Sequence, residues 1–143
     1  MILPDVNLLL YAVDSTSPRH TGARDWLERC LSGTETLAFA WSVLTAFIRL
    51  STRASVFEQP LTPAQTFDLV DQWLAQPPAV ILHPTERHHV VLRELLEPLG
   101  TAGNLVPDAH LAALALEHGA VVASSDHDFA RFAGLRWSDP LAT

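Results

Sequence analysis

Lysine is absent from this chain of 143 residues, and all nine basic side chains are arginine. This absence excludes chemistry that depends on a lysine. A phosphate-binding loop ending in GK[ST] cannot be built, and the site of an aspartyl-phosphate phosphatase would lack the lysine that balances the phosphate. The G-x-S-x-G turn of serine hydrolases is missing as well. The chemistry must therefore come from other residue types.

Cysteine and long apolar runs are also scarce. The single cysteine, Cys30, excludes an internal disulfide and a thiolate metal site such as that of a zinc deaminase. We interpret it as a half-buried helix residue in a reducing cytoplasm. No apolar run approaches the roughly 18 residues of a membrane span, and the N-terminus has neither the basic region nor the cleavage site of a signal peptide. The sequence predicts a cytoplasmic protein without a membrane partner.

The composition favours one compact domain. Hydrophobic residues make up 48% of the chain and charged residues 17%, which favours a folded core over disorder. We therefore predict a single domain spanning residues 1–143. The net charge of −7 argues against a basic face that coats nucleic acid. It leaves open an acidic, metal-loaded site that is served by local arginines.

Short apolar runs alternate with helical patterns along the chain. This alternation predicts an α/β fold with a mostly parallel sheet. The predicted strands are a first run ending at Asp5 and the segments 36–40, 79–83, 120–123 and 135–137. Helices are predicted from Asn7, from Pro18 to Gly33, and over 41–53, 63–76, 86–99 and 108–118.

Four aspartates stand at strand ends or helix starts. Asp5 ends the first predicted strand, Asp126 and Asp128 follow the strand 120–123, and Asp108 begins a helix. If the first and fourth strands are neighbours, Asp5, Asp108 and Asp126 converge at the carboxyl edge of the sheet. Clustered carboxylates repel one another and need a cation. Their oxygens suit Mg²⁺ or Mn²⁺, which predicts metal-assisted hydrolysis of phosphodiesters.

Each of these acids also has a structural interpretation. Asp5 and Asp108 are good helix N-caps, and Asp126 and Asp128 could form a turn followed by a cap. Four acids at such positions, with few other charges nearby in sequence, are difficult to attribute to capping alone.

Other polar residues near the acids remain open between two interpretations. Arg49 could contact a phosphate of the substrate or pair with a nearby acid. His110 and His127 flank the acids and could donate protons, or could be structural. His88 and His89 are adjacent on a helix and face different ways, so they are a poor ligand pair.

Four segments, in this order along the chain, resemble a known family. They are PDVNLLLYA, WSVLTAFIRLST, GNLVPDAHLAALALEHGA and SSDHDFARF. Together they resemble the PIN-domain proteins of the VapC toxin type, and the resemblance runs from Ile2 to Pro140.

The resemblance implies a three-layer α/β/α domain with a mostly parallel sheet of four to five strands. It implies a Mg²⁺-dependent endoribonuclease acting on tRNA or rRNA, which forms a homodimer and is silenced by a VapB-like antitoxin. By position, Asp5, Asp108 and Asp126 match the metal-binding acids of the family, and Asp128 matches a fourth, more variable acid. A catalytically weak PIN fold that binds RNA or an antitoxin is the alternative.

The sequence departs from the family pattern at one position. Family members usually carry a glutamate three residues before an arginine like Arg49, where this chain has Ala46. The missing carboxylate predicts that a second metal binds weakly or not at all.

Overall fold

The computed structural model describes residues 1–142 and contains a five-stranded sheet in the order β3-β2-β1-β4-β5. Every neighbouring pair of strands is parallel, which confirms the predicted α/β class and strand number. The strands are β1 (Ile2–Pro4), β2 (Leu37–Ala40), β3 (Ala79–Leu82), β4 (Val121–Ala123) and β5 (Trp137–Ser138). The short final strand forms one edge of the sheet, as its sequence predicts.

Within residues 1–142, six α-helices connect these strands and pack mainly within two groups. The helices are α1 (Val6–Val13), α2 (His20–Ser32), α3 (Trp41–Ser51), α4 (Pro63–Leu74), α5 (His88–Leu96) and α6 (Val106–His118). One group is α1 to α4 and the other is α5 with α6. Helices in two groups around one sheet form the three-layer arrangement that the resemblance implies.

Local sequence signals explain where several helices begin. Thr62 caps α4, and its side chain and that of Gln65 form a reciprocal capping box. The prediction that α2 starts at Pro18 is wrong, since the helix begins at His20. Ser17 forms a turn there instead: its side chain accepts from the Arg19 N–H and its carbonyl accepts from the His20 N–H.

The register of the central strands decides where the functional residues meet. Strand β1 lies between β2 and β4, and Pro4 is paired with Ala123. The residues that follow these two strands, Asp5 and Ser124, are therefore adjacent at the carboxyl edge. Among residues 1–142, no helix has both the length and the apolar character needed to cross a membrane.

Candidate metal centre

Asp5 is held at the junction between β1 and α1. Its backbone N–H donates to the Ala123 carbonyl at 2.8 Å, which continues the sheet by one residue. Its Oδ1 accepts from the Val6 N–H at 2.8 Å, so Asp5 is the N-cap of α1. Burial raises the pKa of Asp5, whereas hydrogen bonds from Ser124 and Val6 oppose that shift. The capping role and a place at the sheet edge thus coexist in one side chain.

Ser124 connects the carboxylates at the ends of β1 and β4, a role that the sequence does not predict. This fully buried hydroxyl donates to Asp5 Oδ2 at 2.7 Å. It accepts from the Asp126 N–H at 3.0 Å and from Asn7 Nδ2 at 3.2 Å. One donor and two acceptor positions are the full capacity of a hydroxyl, so Ser124 connects both strand ends. A buried serine directly after a buried strand was the one signal for this role.

Asp126 and Asp128 follow β4 on a short 3₁₀ helix over residues 127–131. Asp126 caps this helix, because its Oδ1 accepts from the Asp128 N–H at 2.9 Å. The bond uses the backbone of Asp128, whose side chain is exposed. The capping role that the sequence offers for this segment is therefore present at Asp126.

Asp108 comes to the same edge from α6. It lies in the first turn of the helix, where the positive end of the helix dipole favours a carboxylate. It is not the N-cap, which is Leu105. Despite the helix dipole, the pKa of Asp108 is raised from 3.8 to about 7. Burial is the largest cause, and the negative charges of Asp5, Asp126 and Asp128 add to it. Without a cation this carboxyl therefore keeps its proton to a higher pH than an ordinary aspartate does.

The carboxylates fit a divalent cation. Asp108, Asp126 and Asp128 each place one oxygen within 4.8 Å of the others, and such hard oxygen donors suit Mg²⁺, Mn²⁺ and similar ions. Asp5 is close enough for its charge to raise the pKa of Asp108, but both of its oxygens already accept hydrogen bonds from the protein. Asp128, predicted as the more variable acid, is thus a member of the tightest group.

A small pocket of about 160 Å³ opens beside these acids. Its lining includes Asp5 and Asp108 together with Ala46 and Arg49 of α3. Arg49 is exposed and forms no ion pair within the described part of the chain. The alanine that departs from the family pattern therefore lines the same pocket as Asp5 and Asp108.

The two histidines that flank the acids in sequence have different surroundings. His127 lies with its side chain 80% exposed and its ring edge against Trp137. His110 faces α5 instead, where its Nδ1 lies 2.9 Å from Nε2 of His88. A proton donor at His110 is therefore not supported by its position, since its ring is engaged away from the carboxylates.

Comparison with known proteins shows similarity to one family over nearly the whole chain. A model of the PIN domain matches residues 2–135. Ribonuclease VapC37 of Mycobacterium tuberculosis is 48% identical over 142 residues, and the match covers 99% of both chains. Ribonuclease VapC33 of the same organism is 43% identical over 141 residues and is also covered to 99% on both sides.

Solved structures share the fold at low sequence identity. A VapBC2 complex from Rickettsia felis, bound to a DNA fragment from its promoter, aligns with a TM-score of 0.69 at 22% identity, covering 97% of this chain and 98% of that one. VapC20 of M. tuberculosis, a toxin that cleaves the sarcin-ricin loop, aligns with a TM-score of 0.64 at 16% identity, covering 95% and 99%. At these identities, the two matches show that the fold is shared.

Proposed function

This chain belongs to the PIN-domain family and, within it, to the VapC proteins, and from that premise we propose that it is a metal-dependent endoribonuclease. The observation that carries the proposal is the meeting of four aspartates at the carboxyl edge of the sheet. Mg²⁺ or Mn²⁺ is the cofactor, because both ions take carboxylate oxygens together with phosphate and water. The substrate is a phosphodiester of RNA, with tRNA and rRNA as the first candidates.

The chain supplies binding and orientation in this reaction. Asp108, Asp126 and Asp128 would hold the cation, and Asp5 would add its negative charge from the end of β1. A bound divalent cation lowers the pKa of a water ligand and offsets charge at the phosphorus in the transition state. Arg49, exposed at the rim of the pocket, contacts a phosphate of the RNA and holds the strand across the acids.

The assembly follows from the same family membership. The whole chain, residues 1–143, acts as one domain in the cytoplasm, where its RNA substrate is found. It forms a homodimer, and a small VapB-like antitoxin binds it and suppresses its activity. A short reading frame directly upstream of its gene would support this pairing.

A second candidate function rests on Ala46. The missing carboxylate leaves a less anionic site on the α3 side of the pocket, which favours a catalytically weak PIN fold that acts by binding RNA or an antitoxin. The two functions differ in one measurable property, which is whether a metal ion turns on RNA cleavage.

That property can be tested on purified protein freed of any partner. We expect cleavage of structured tRNA and rRNA fragments in Mg²⁺ or Mn²⁺ and none in EDTA. The Asp5→Asn variant should be strongly impaired, because the amide removes one charge from the site. Cleavage that persists in EDTA, or that is unchanged in this variant, would contradict the metal site. No cleavage in any metal would favour the binding function.

The Ala46→Glu variant tests the departure from the family pattern. A glutamate at this position is expected to tighten Mn²⁺ binding, measured by calorimetric titration, because it adds a carboxylate to the pocket that Asp5 and Asp108 also line. The metal-free variant should also unfold at a lower temperature, since it adds a like charge to the site. Thr45→Glu is the matched control, as Thr45 is exposed and lies outside the pocket. Equal or weaker Mn²⁺ binding by Ala46→Glu would remove this explanation.

A further inference from the structure

A nearly inaccessible carboxylate lies outside the metal centre, at the end of α6. The Glu117 side chain is only 2% exposed. Its Oε1 accepts from both the backbone N–H and the hydroxyl of Thr85, at 2.9 and 2.5 Å. Burial by itself would raise the pKa of Glu117, but hydrogen bonds from Thr85 and His88 outweigh burial and hold that pKa below its ordinary value. Glu117 is therefore an ionised, fully engaged acceptor.

The other oxygen of Glu117 begins a chain of ring contacts. Its Oε2 lies 2.5 Å from Nδ1 of His88, and Nε2 of His88 lies 2.9 Å from Nδ1 of His110. An ionised carboxylate can only accept, so His88 donates from Nδ1. In a neutral ring its Nε2 then accepts, and His110 donates from Nδ1. The chain of hydrogen bonds therefore runs in one direction, from His110 through His88 to Glu117.

This chain of contacts attaches α6 at two points. Glu117 lies in the last turn of α6 and His110 near its beginning, about 10 Å apart along the axis at 1.5 Å per residue. His88, the first residue of α5, bridges both. These contacts join the start and the end of α6 to α5, and Asp108 lies two residues before His110 on the same helix.

The first turn of α6 needs such a restraint. Asp108 brings a carboxylate within 4.8 Å of those of Asp126 and Asp128, and like charges at this separation push the helix start away from β4. The N-cap residue of the helix, Leu105, offers no side-chain hydrogen bond. The hydrogen bond between His110 and His88 joins α6 to α5 two residues beyond Asp108, so it can act as a restraint on this turn.

We propose that His88 is a positioning residue, which holds α6 through Glu117 and His110 so that Asp108 meets the other acids at the separation a divalent cation requires. The proposal rests on the proposed metal-dependent function. It gives a defined role to one member of the histidine pair at residues 88 and 89, while His89 is exposed and outside the network.

The test is the affinity of the folded protein for Mn²⁺, measured by calorimetry and by the EPR signal of free Mn²⁺. His88→Ala is expected to weaken Mn²⁺ binding about tenfold, the effect typical of residues that orient metal ligands. Excess Mn²⁺ should restore most of the cleavage rate, because the acids themselves are intact. His89→Ala is the matched control and should bind as the unmodified protein does.

Two further variants separate positioning from simple packing. Glu117→Gln keeps the hydrogen bonds to Thr85 and to His88. The amide oxygen still accepts from Thr85, and the amide nitrogen donates to Nδ1 of His88. The His88 ring then donates from Nε2 to His110. The Mn²⁺ affinity of Glu117→Gln should stay within about twofold of the unmodified protein. His110→Ala removes one attachment only, so it reports on the proposal even if His88→Ala does not fold.

The outcomes are distinct. Unchanged Mn²⁺ affinity in folded His88→Ala or His110→Ala, with a lower unfolding temperature only, would overturn the positioning role. Equal weakening in His89→Ala would overturn it as well. If the unmodified protein cleaves RNA with metal and these variants bind Mn²⁺ equally well, only the positioning role fails. If the unmodified protein binds no Mn²⁺, the proposed function fails with it.

Discussion

In EDTA at pH 8, the Asp108→Asn variant is expected to unfold at a temperature roughly 3–6 °C above that of the unmodified protein. The same variant should cleave RNA at least about a hundredfold more slowly at saturating metal. Both effects come from the Asp108 carboxylate. Its partly buried site is surrounded by negative charges, so it lowers the stability of the metal-free protein. The same carboxylate is one of the proposed ligands of the cation. Differential scanning calorimetry and a single-turnover cleavage assay measure the two effects.

The pH dependence of this stability difference follows from the pKa of Asp108. Burial and three neighbouring acids raise that pKa from 3.8 to about 7 in the folded, metal-free protein, while the unfolded chain keeps a value near 3.9. Between these values the folded state holds a proton that the unfolded state has lost. The free energy of unfolding therefore falls as the pH rises from about 4 to about 7. The advantage of Asp108→Asn should be complete above pH 7 and should disappear near pH 4.

The size of the effect is limited by solvent. A shift from 3.8 to about 7 corresponds to about 4 kcal/mol, and screening at this partly exposed site reduces the expected effect to roughly 1–2 kcal/mol. Mn²⁺ should reverse the order of stability, because only the unmodified protein binds it well. Asp71→Asn, an exposed change on α4, is the control. An Asp108→Asn protein that is less stable in EDTA at pH 8 would contradict the proposed repulsion.

The sequence predicted much of the fold because its strands are short, apolar and bounded by clear signals. Pro63 after Thr62 and Gly119 after the apolar pattern of α6 mark helix ends that the structure contains. The start of α2 was predicted wrongly, because a proline in the first helical turn and a proline in the preceding turn look alike in sequence. The hydrogen bonds of Ser17 decide between them.

The candidate site was predictable only in its charged members. Aspartates at strand ends are visible in sequence, but their geometry depends on Ser124, which joins Asp5 across 119 residues of chain. The hydrogen bonds of His88 could not be predicted from the sequence either, because Glu117 lies 29 residues away from His88. The roles of Ser124 and His88 depend on partners that are distant in the sequence. Those partners come together only through the order of the strands and the packing of the helices.

Ser124→Ala is expected to lower the free energy of unfolding by roughly 2–4 kcal/mol, the cost of leaving buried polar groups without partners. The change removes the donor to Asp5 and the acceptor for the Asp126 N–H and Asn7. Metal affinity should fall about tenfold or more, as for other groups that orient ligands. The loss of the Ser124 hydrogen bond also raises the pKa of Asp5 further, so Mn²⁺ binding should require a higher pH than in the unmodified protein.

A second variant at this position separates the hydroxyl from the space it fills. Ser124→Thr keeps the donor and acceptors but adds a methyl group to a fully buried site, which costs roughly 1–3 kcal/mol. It should therefore unfold at a lower temperature and still bind Mn²⁺ with near-normal affinity. Ser125→Ala, next in the chain and without a side-chain hydrogen bond within residues 1–142, should change neither property. If Ser124→Thr and Ser124→Ala lost Mn²⁺ affinity equally, the effect would come from packing, and the hydroxyl would have no role in orienting Asp5.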